Sequence, residues 1–241
     1  MKLTWIGGST FLLELGAFSI LADPVFSDSI EWSTGRANRE APLPDVDVGK
    51  VAVVCISATR ADHFDRAAAG RVGDGVPVVV PAGARDEVAA AGWSDVRELS
   101  CWEEWKMESA GESLSIVATP ANGNGYFFRH VAGERETTVY WTGDALWSND
   151  IRELQQRYGY ANVLVQHIGA EGAGTPGGLV SPDAREAMQF VYRMQPNAVV
   201  AIHHHTFSHY TQSLEPFQEL IGRTIYEKRL RVLAEGEAFE K

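Results

Sequence analysis

The sequence predicts a layered α/β (α+β) fold in which helices pack outside two β-sheets. Three observations carry this reading. The first 25 residues alternate short apolar strands with glycine turns. Later segments mix continuous apolar runs with helical stretches. No linker, repeat or low-complexity stretch interrupts residues 1–241, so the whole chain reads as one domain.

Residues 3–6 read as a strand, Gly7-Gly8-Ser9 as a turn, and 11–15 and 18–22 as two further strands. β-Branched and aromatic residues between glycines form such meanders. Asp23-Pro24 ends the third strand, because proline removes a ladder donor. Residues 25–50 are polar, include Pro42 and Pro44, and read as one long loop. Loops of that length in compact domains are usually functional. The apolar runs 51–56, 78–80, 162–168 and 198–202 are expected of strands covered on both faces. Residues 96–118 alternate like antiparallel strands, and 125–130 pairs with 138–141 as a hairpin around Gly133. Helices are expected from residue 67 and over 84–91, 149–158, 181–194 and 214–223. Ser181-Pro182-Asp183 offers a serine N-cap, a proline at the first helical position and an acid in the first turn.

Composition narrows the function classes. Of 241 residues, 45% are hydrophobic and 22% charged, enough apolar material for a sizeable core. The net charge of −11 argues against nucleic acid and anionic membranes as partners, since both need clustered Lys and Arg. The most basic stretch, Glu227-Lys228-Arg229-Leu230-Arg231, is short, carries an acid and reads as a solvated face. Cys55 and Cys101 make at most one pair, which is no disulfide framework. No apolar stretch approaches the length of a membrane span, and Met1-Lys2-Leu3-Thr4-Trp5 lacks a signal-peptide pattern. A cytoplasmic location is the expectation.

Three apolar strands run into acids or histidines. The strand at 51–56 leads to Asp62-His63, that at 138–141 to Asp144, and that at 198–202 to His203-His204-His205. Polar groups just past the carboxyl ends of such strands are where layered α/β folds place their sites. Two carboxylates with two imidazoles, Asp62, His63, Asp144 and His203, suit Zn²⁺, Mn²⁺ or Fe²⁺ better than a thiolate or all-oxygen site. On spacing alone, an Asp-His loop cap, a structural histidine cluster and an ordinary Gly143-Asp144 turn explain the same residues.

Taken in order, these segments resemble the metallo-β-lactamase superfamily, and within it the ascorbate-6-phosphate-lactonase-like branch of metal-dependent hydrolases. The resemblance rests on Leu3-Thr4-Trp5-Ile6-Gly7-Gly8-Ser9-Thr10-Phe11, Ile20-Leu21-Ala22-Asp23-Pro24, Ala58-Thr59-Arg60-Ala61-Asp62-His63, Pro120-Ala121-Asn122-Gly123, Trp141-Thr142-Gly143-Asp144 and Ala201-Ile202-His203-His204-His205-Thr206-Phe207. It implies a four-layer αββα sandwich. It also implies hydrolysis of an ester, lactone or phosphoester by a metal-bound water, with a small and permissibly anionic substrate.

The departures from that pattern are confined to one half of the family's two-metal centre. Ala58, Arg60 and Asn122 stand where the resemblance implies the first metal's three histidines, and Gly8 replaces the histidine of the opening turn. The implied second set, Asp62, His63 and His203 with bridging Asp144, is intact. A guanidinium has no lone pair for a metal. Arg60 therefore either places a fixed positive charge in the first site, where it pairs with Asp144 or Asp62 or holds an anionic substrate group, or swings out to solvent. Asn122 could donate to a developing oxyanion. The catalytic expectations are thus Asp62, Arg60 and Asn122. Two outcomes stay open: a hydrolase with one divalent ion (Zn or Mn, with Fe permitted), or a metal-free, inactive fold that binds a small ligand or partner. A third is metal-free hydrolysis with His63 and Asp144 as a general-base pair.

His167 is expected to orient a ligand or fill the core. His205 would be a reserve ligand if the chain stays extended beyond His203. His204 and His209 read as loop or wall residues. Gly169 to Gly174 lacks the ending of a phosphate loop and reads as a flexible segment near the site. Trp32 and Trp147 would line the cleft or pack in the core. Relatives of this kind often associate, so a homo-oligomer with contacts through 25–50 is a further expectation.

Overall fold

The computed structural model describes residues 1–33, 35–73 and 75–241. Three strands open the chain: β1 (Lys2–Gly7), β2 (Thr10–Leu15) and β3 (Phe18–Ala22). A small hairpin follows, β4 (Ser29–Trp32) and β5 (Gly35–Asn38). Next come β6 (Val53–Cys55), α1 (Ala69–Val72), β7 (Val78–Pro81), α2 (Arg85–Ala90) and β8 (Val96–Leu99). The second half opens with β9 (Glu104–Ser109), β10 (Glu112–Ala121), β11 (Gly123–Ala132) and β12 (Arg135–Trp141). It continues through α3 (Asn149–Tyr158), β13 (Val163–His167), α4 (Ala184–Met194), β14 (Ala198–Ile202), α5 (Glu215–Ile221), β15 (Leu230–Arg231) and β16 (Ala238–Glu240).

The strands form two seven-stranded sheets, in the orders β16-β1-β2-β3-β6-β7-β8 and β15-β14-β13-β12-β11-β10-β9. Strand parity explains the layering, because successive side chains point to opposite faces. On β10, Leu114, Ile116 and Ala118 enter the core between the sheets, while Val117 faces α3, α4 and α5. On β6, Val53 and Cys55 face the inter-sheet core and Val54 packs toward α1 and α2. Each sheet therefore buries both faces, and the order of layers is helix, sheet, sheet, helix, as the resemblance implies. Among the described residues no helix is long and apolar enough to cross a membrane.

Several elements differ from expectation. Residues 25–50 contain the β4–β5 hairpin, with Trp32 opposite Gly35. A side chain at Gly35 would lie 2.7 Å from the Trp32 ring, so the indole lies across the glycine. Within 96–118, only β9 and β10 are antiparallel partners; β8 pairs parallel with β7 at the edge of the first sheet. Helix α4 is capped by Asp183, whose Oδ1 accepts from Arg185 N (2.9 Å) and Glu186 N (2.8 Å). Ser181 instead accepts from the backbone N–H of Glu171 at 3.0 Å, so the serine stabilises the neighbouring loop rather than the helix. Short strands β15 and β16 extend the sheets, β16 lying antiparallel to β1.

Parallel pairing aligns β12, β13 and β14, with Trp141 opposite Val165 and His167 opposite Ile202. Their carboxyl ends therefore open at one edge of the sandwich, where the segment after β6 also arrives. Hydrogen bonds lace the two sheets together there: Asn124 N to Ser57 O (2.8 Å), Tyr126 Oη to Ile56 O (2.7 Å) and His203 N to Gly8 O (2.8 Å).

Candidate metal centre

Asp62, His63, Asp144 and His203 meet at this edge, though 141 positions (203 − 62) separate the outermost two. All four are buried. Each arrives by a local turn. The backbone carbonyl of Asp62 accepts from Ser9 Oγ at 2.7 Å, and His63 N closes a turn onto Arg60 O at 2.9 Å. His203 takes a left-handed φ of 61°, which turns its ring away from the strand direction of β14 and into the cluster.

The donor atoms converge. His63 Nε2 lies 3.3 Å from Asp62 Oδ2 and 3.1 Å from Asp144 Oδ2, and His203 Nε2 lies 3.2 Å from Asp62 Oδ2. His203 Nδ1 is 3.8 Å from Asp144 Oδ1 and has no hydrogen-bond partner. The protons can be assigned from the neighbours. Asp23 Oδ2 lies 2.6 Å from His63 Nδ1, and its carboxylate also accepts from Ser57 N and Ser57 Oγ, each at 2.6 Å. A carboxylate there holds the imidazole proton on Nδ1 and turns the Nε2 lone pair into the site. Trp141 Nε1–H donates to His167 Nε2 at 2.9 Å. Indole is only a donor, so His167 carries its proton on Nδ1 and gives it to Asp144 Oδ1 at 2.9 Å. His167 thus orients Asp144 and has no lone pair left for a cation on that side.

Burial and neighbouring charge set the protonation states. Burial lowers His203 and His167 well below the usual histidine range; the imidazole of His167 adds to the shift at His203, and the charge of His63 to that at His167. Both are neutral near pH 7. For His63, burial pushes down, but the charges of Asp62 and Asp23 outweigh it and raise the group to about 9. Burial opposes ionisation of Asp62, yet His63, His203 and His209 hold its carboxyl well below the ordinary value. At Asp23, burial outweighs His63 and Ser57, and its carboxyl is raised.

Arg60 turns inward. Its Nη2 touches Asp144 Oδ2 and lies 2.9 Å from His63 Nε2, and its Nε lies 3.8 Å from Asp62 Oδ1, while about 30% of the side chain stays exposed. Of the two expectations for Arg60, pairing with the acids is the one observed. Asn122 meets the site through its backbone: its N–H donates to Asp144 O at 3.1 Å, its carbonyl accepts from Arg60 Nη1 at 3.5 Å, and the residue itself is exposed. Ala58 is buried and leaves only space. The chain does not stay extended beyond His203, since His205 also takes a positive φ of 33° and is exposed. The rings of His204 and His205 pack beside Trp5, so His205 is no reserve ligand. His209, read as a loop or wall residue, lines the cleft, with Nε2 3.4 Å from Asp62 Oδ2. Glu171 from the glycine-rich segment joins it in a cavity of about 280 Å³, walled also by Ile30 and Trp32. Trp147 packs edge-on against Phe190 in the helical layer. A second cavity of about 510 Å³ reaches Asp144 past Asn122 and Leu179.

Asp62, His63 and His203 offer donor atoms within 4.8 Å of one another, as a divalent cation requires, whereas Asp144 groups with His167 and His203. Ligands about 2.1 Å from a tetrahedral ion lie about 3.4 Å apart, close to the 3.1–3.3 Å found here. Positive charge among these acids comes from the Arg60 guanidinium and from His63, raised to about 9; a divalent ion would supply it with His63 neutral.

Comparison with known proteins agrees with this geometry. Residues 2–203 match the family described as the beta-lactamase superfamily domain, and the chain belongs to that superfamily. A UPF0173 metal-dependent hydrolase of Pyrobaculum calidifontis is 25% identical over 221 residues, covering 90% of both chains. The mitochondrial N-acyl-phosphatidylethanolamine-hydrolyzing phospholipase D of Saccharomyces cerevisiae is 31% identical over 124 residues, 49% of this chain. The chain spans 26% of that yeast protein's length, and 52% of that of an uncharacterised Mycobacterium tuberculosis relative. Among solved structures, a possible metal-dependent hydrolase from Veillonella parvula superposes with a TM-score of 0.81 at 21% identity, covering 99% of this chain and 98% of that one; this likeness is one of fold.

Proposed function

We propose that the chain is a metal-dependent hydrolase that holds one divalent ion, Zn or Mn with Fe permitted, on Asp62, His63, His203 and Asp144. The carrying observation is the convergence of these donors, with Asp23 fixing the His63 lone pair toward them. Formal charge supports it. Asp23, Asp62 and Asp144 contribute −3 and Arg60 +1; a divalent ion with neutral His63 brings the sum to 0, whereas a second proton on His63 leaves −1. The Pyrobaculum relative, itself named a metal-dependent hydrolase, points the same way.

Bound there, the ion supplies Lewis acidity and brings the pKa of a water molecule toward neutrality. The chain's own residues do the rest. In this reading Asp62 accepts the nucleophile's proton. Arg60 stands at the cleft and can bind a negative charge on the substrate or one that develops as the carbonyl or phosphoryl group is attacked. Ile30 and Trp32 offer an apolar wall for the remainder of a small ester, lactone or phosphoester. The ascorbate-6-phosphate-lactonase-like branch makes a lactone the first substrate class to try.

One observation favours a metal-free reading: the Arg60 guanidinium already touches Asp144 and lies close to His63 Nε2. In that case a cationic side chain replaces the ion and the clefts serve for ligand or partner recognition. Elemental analysis after gel filtration without chelator separates the two. At least one equivalent of Zn, Mn or Fe, lost on His203→Ala, supports the hydrolase. Protein that retains none, even after soaking, supports the metal-free reading.

A further inference from the structure

The geometry points to a second cation position, distinct from the one at His63, formed by Asp62, Glu171 and His209. It rests on the reading above, because the two positions share the Asp62 carboxylate, and Arg60 lines the same cavity.

Asp62 divides its oxygens. Oδ1 faces the Arg60 guanidinium at 3.8 Å. Oδ2 faces three imidazole nitrogens: His63 Nε2 at 3.3 Å, His203 Nε2 at 3.2 Å and His209 Nε2 at 3.4 Å. One oxygen cannot satisfy three imidazoles by hydrogen bonds within a single plane, but a carboxylate oxygen can serve two cations. His63 and His203 form one group with Asp62, and His209 and Glu171 form another, each set offering donor atoms within 4.8 Å of one another.

Two buried polar atoms of the second group have no hydrogen-bond partner among the described residues. The His209 side chain is only 9% exposed, and among the described residues its polar contact is Asp62 alone and its Nδ1 has no partner. Glu171 Oε2 is likewise buried without a hydrogen-bond partner. Buried polar atoms normally find partners, and those left unsatisfied call for an ion or a water. The backbone is prepared for the task. The carboxylate-bearing residue is held by its N–H to Ser181 Oγ (3.0 Å) and by its carbonyl, which accepts from Val180 N (2.8 Å). The His209 ring packs tilted against both Tyr210 and Trp32. One imidazole and two carboxylates suit Zn²⁺ or Mn²⁺. Glu171 opens onto the cleft, so this ion exchanges faster and binds more weakly than the first.

Equilibrium dialysis of the metal-stripped full chain against Zn²⁺ and against Mn²⁺ tests the site. Wild type should take up two equivalents, the second at least about tenfold weaker. Glu171→Gln and His209→Ala should each bind one, while His203→Ala should lose the tight equivalent. Glu171→Gln is nearly isosteric, and an unchanged circular dichroism spectrum guards against misfolding. A single equivalent in wild type, untouched by Glu171→Gln and His209→Ala, overturns the second position and leaves the proposed hydrolase standing. Two equivalents that both survive those substitutions overturn it as well. No uptake by wild type overturns both.

Discussion

The indole N–H of Trp141 donates to His167 Nε2 at 2.9 Å, and through that contact decides which proton His167 presents to Asp144. Trp141→Phe should therefore act at two levels. Leaving a buried imidazole nitrogen without its donor costs about 1–3 kcal/mol, apart from any loss of packing. Metal affinity should fall about 10- to 100-fold, the usual effect of freeing a group that orients a ligand. Urea midpoints read the first effect and chelator competition the second; unchanged affinity would contradict the assigned tautomer.

Asp23 holds His63 as His167 holds Asp144. Asp23→Asn removes the charge that keeps the His63 proton on Nδ1. The expected result is again about 10- to 100-fold weaker metal binding with the fold retained, read by competition dialysis. Ser57→Ala should give a smaller loss in the same direction, since Ser57 donates to Asp23 twice.

Arg60 distinguishes the loaded from the stripped protein. Removing one partner of a buried ion pair costs about 3–5 kcal/mol; because Arg60 stays about 30% exposed, Arg60→Met should cost no more than about 3 kcal/mol. The loss should appear in EDTA and shrink when a divalent ion takes over the charge of Asp144. Urea midpoints with and without metal check this. Equal losses in both conditions would mean that Arg60 and the ion do not compensate the same carboxylate.

His63 gives the metal-stripped chain a defined pH response. Its folded value, about 9, lies above the ordinary 6.5. The folded state therefore binds the proton more tightly than the unfolded chain. The resulting stability is fully present below pH 6.5 and lost as pH rises through 9. At 1.36 kcal/mol per unit, the loss is of order 3 kcal/mol. In the metal-loaded protein His63 is neutral in the folded state, and this loss across pH 6.5–9 should disappear. Unfolding at pH 6, 7.5 and 9, with EDTA and with metal, measures the difference.

Much of the centre was legible in the sequence because strand ends are local. Asp62, His63, Asp144 and His203 each follow an apolar run, and their order along the chain matches a known pattern. What was not legible depends on turns and on contacts between distant segments. Asp23 reads as a residue that stops a strand; its role comes from Ser57 and His63, 34 and 40 positions away. His205 reads as aligned with His203 only if the backbone is extended, and two positive φ values break that alignment. The same turn brings His209 to the cleft, which no period in the sequence signals. The sequence allows Arg60 two orientations because a flexible side chain is placed by its partners, here Asp144 and His63.

Each sheet brings half of the centre: Asp62 and His63 follow β6 of the first, Asp144 and His203 follow β12 and β14 of the second. An ion gripped by both halves would be a clasp across the seam of the sandwich. Its release would then require ligands from both sheets to let go, and the rate of exchange would report how firmly the two halves hold it together.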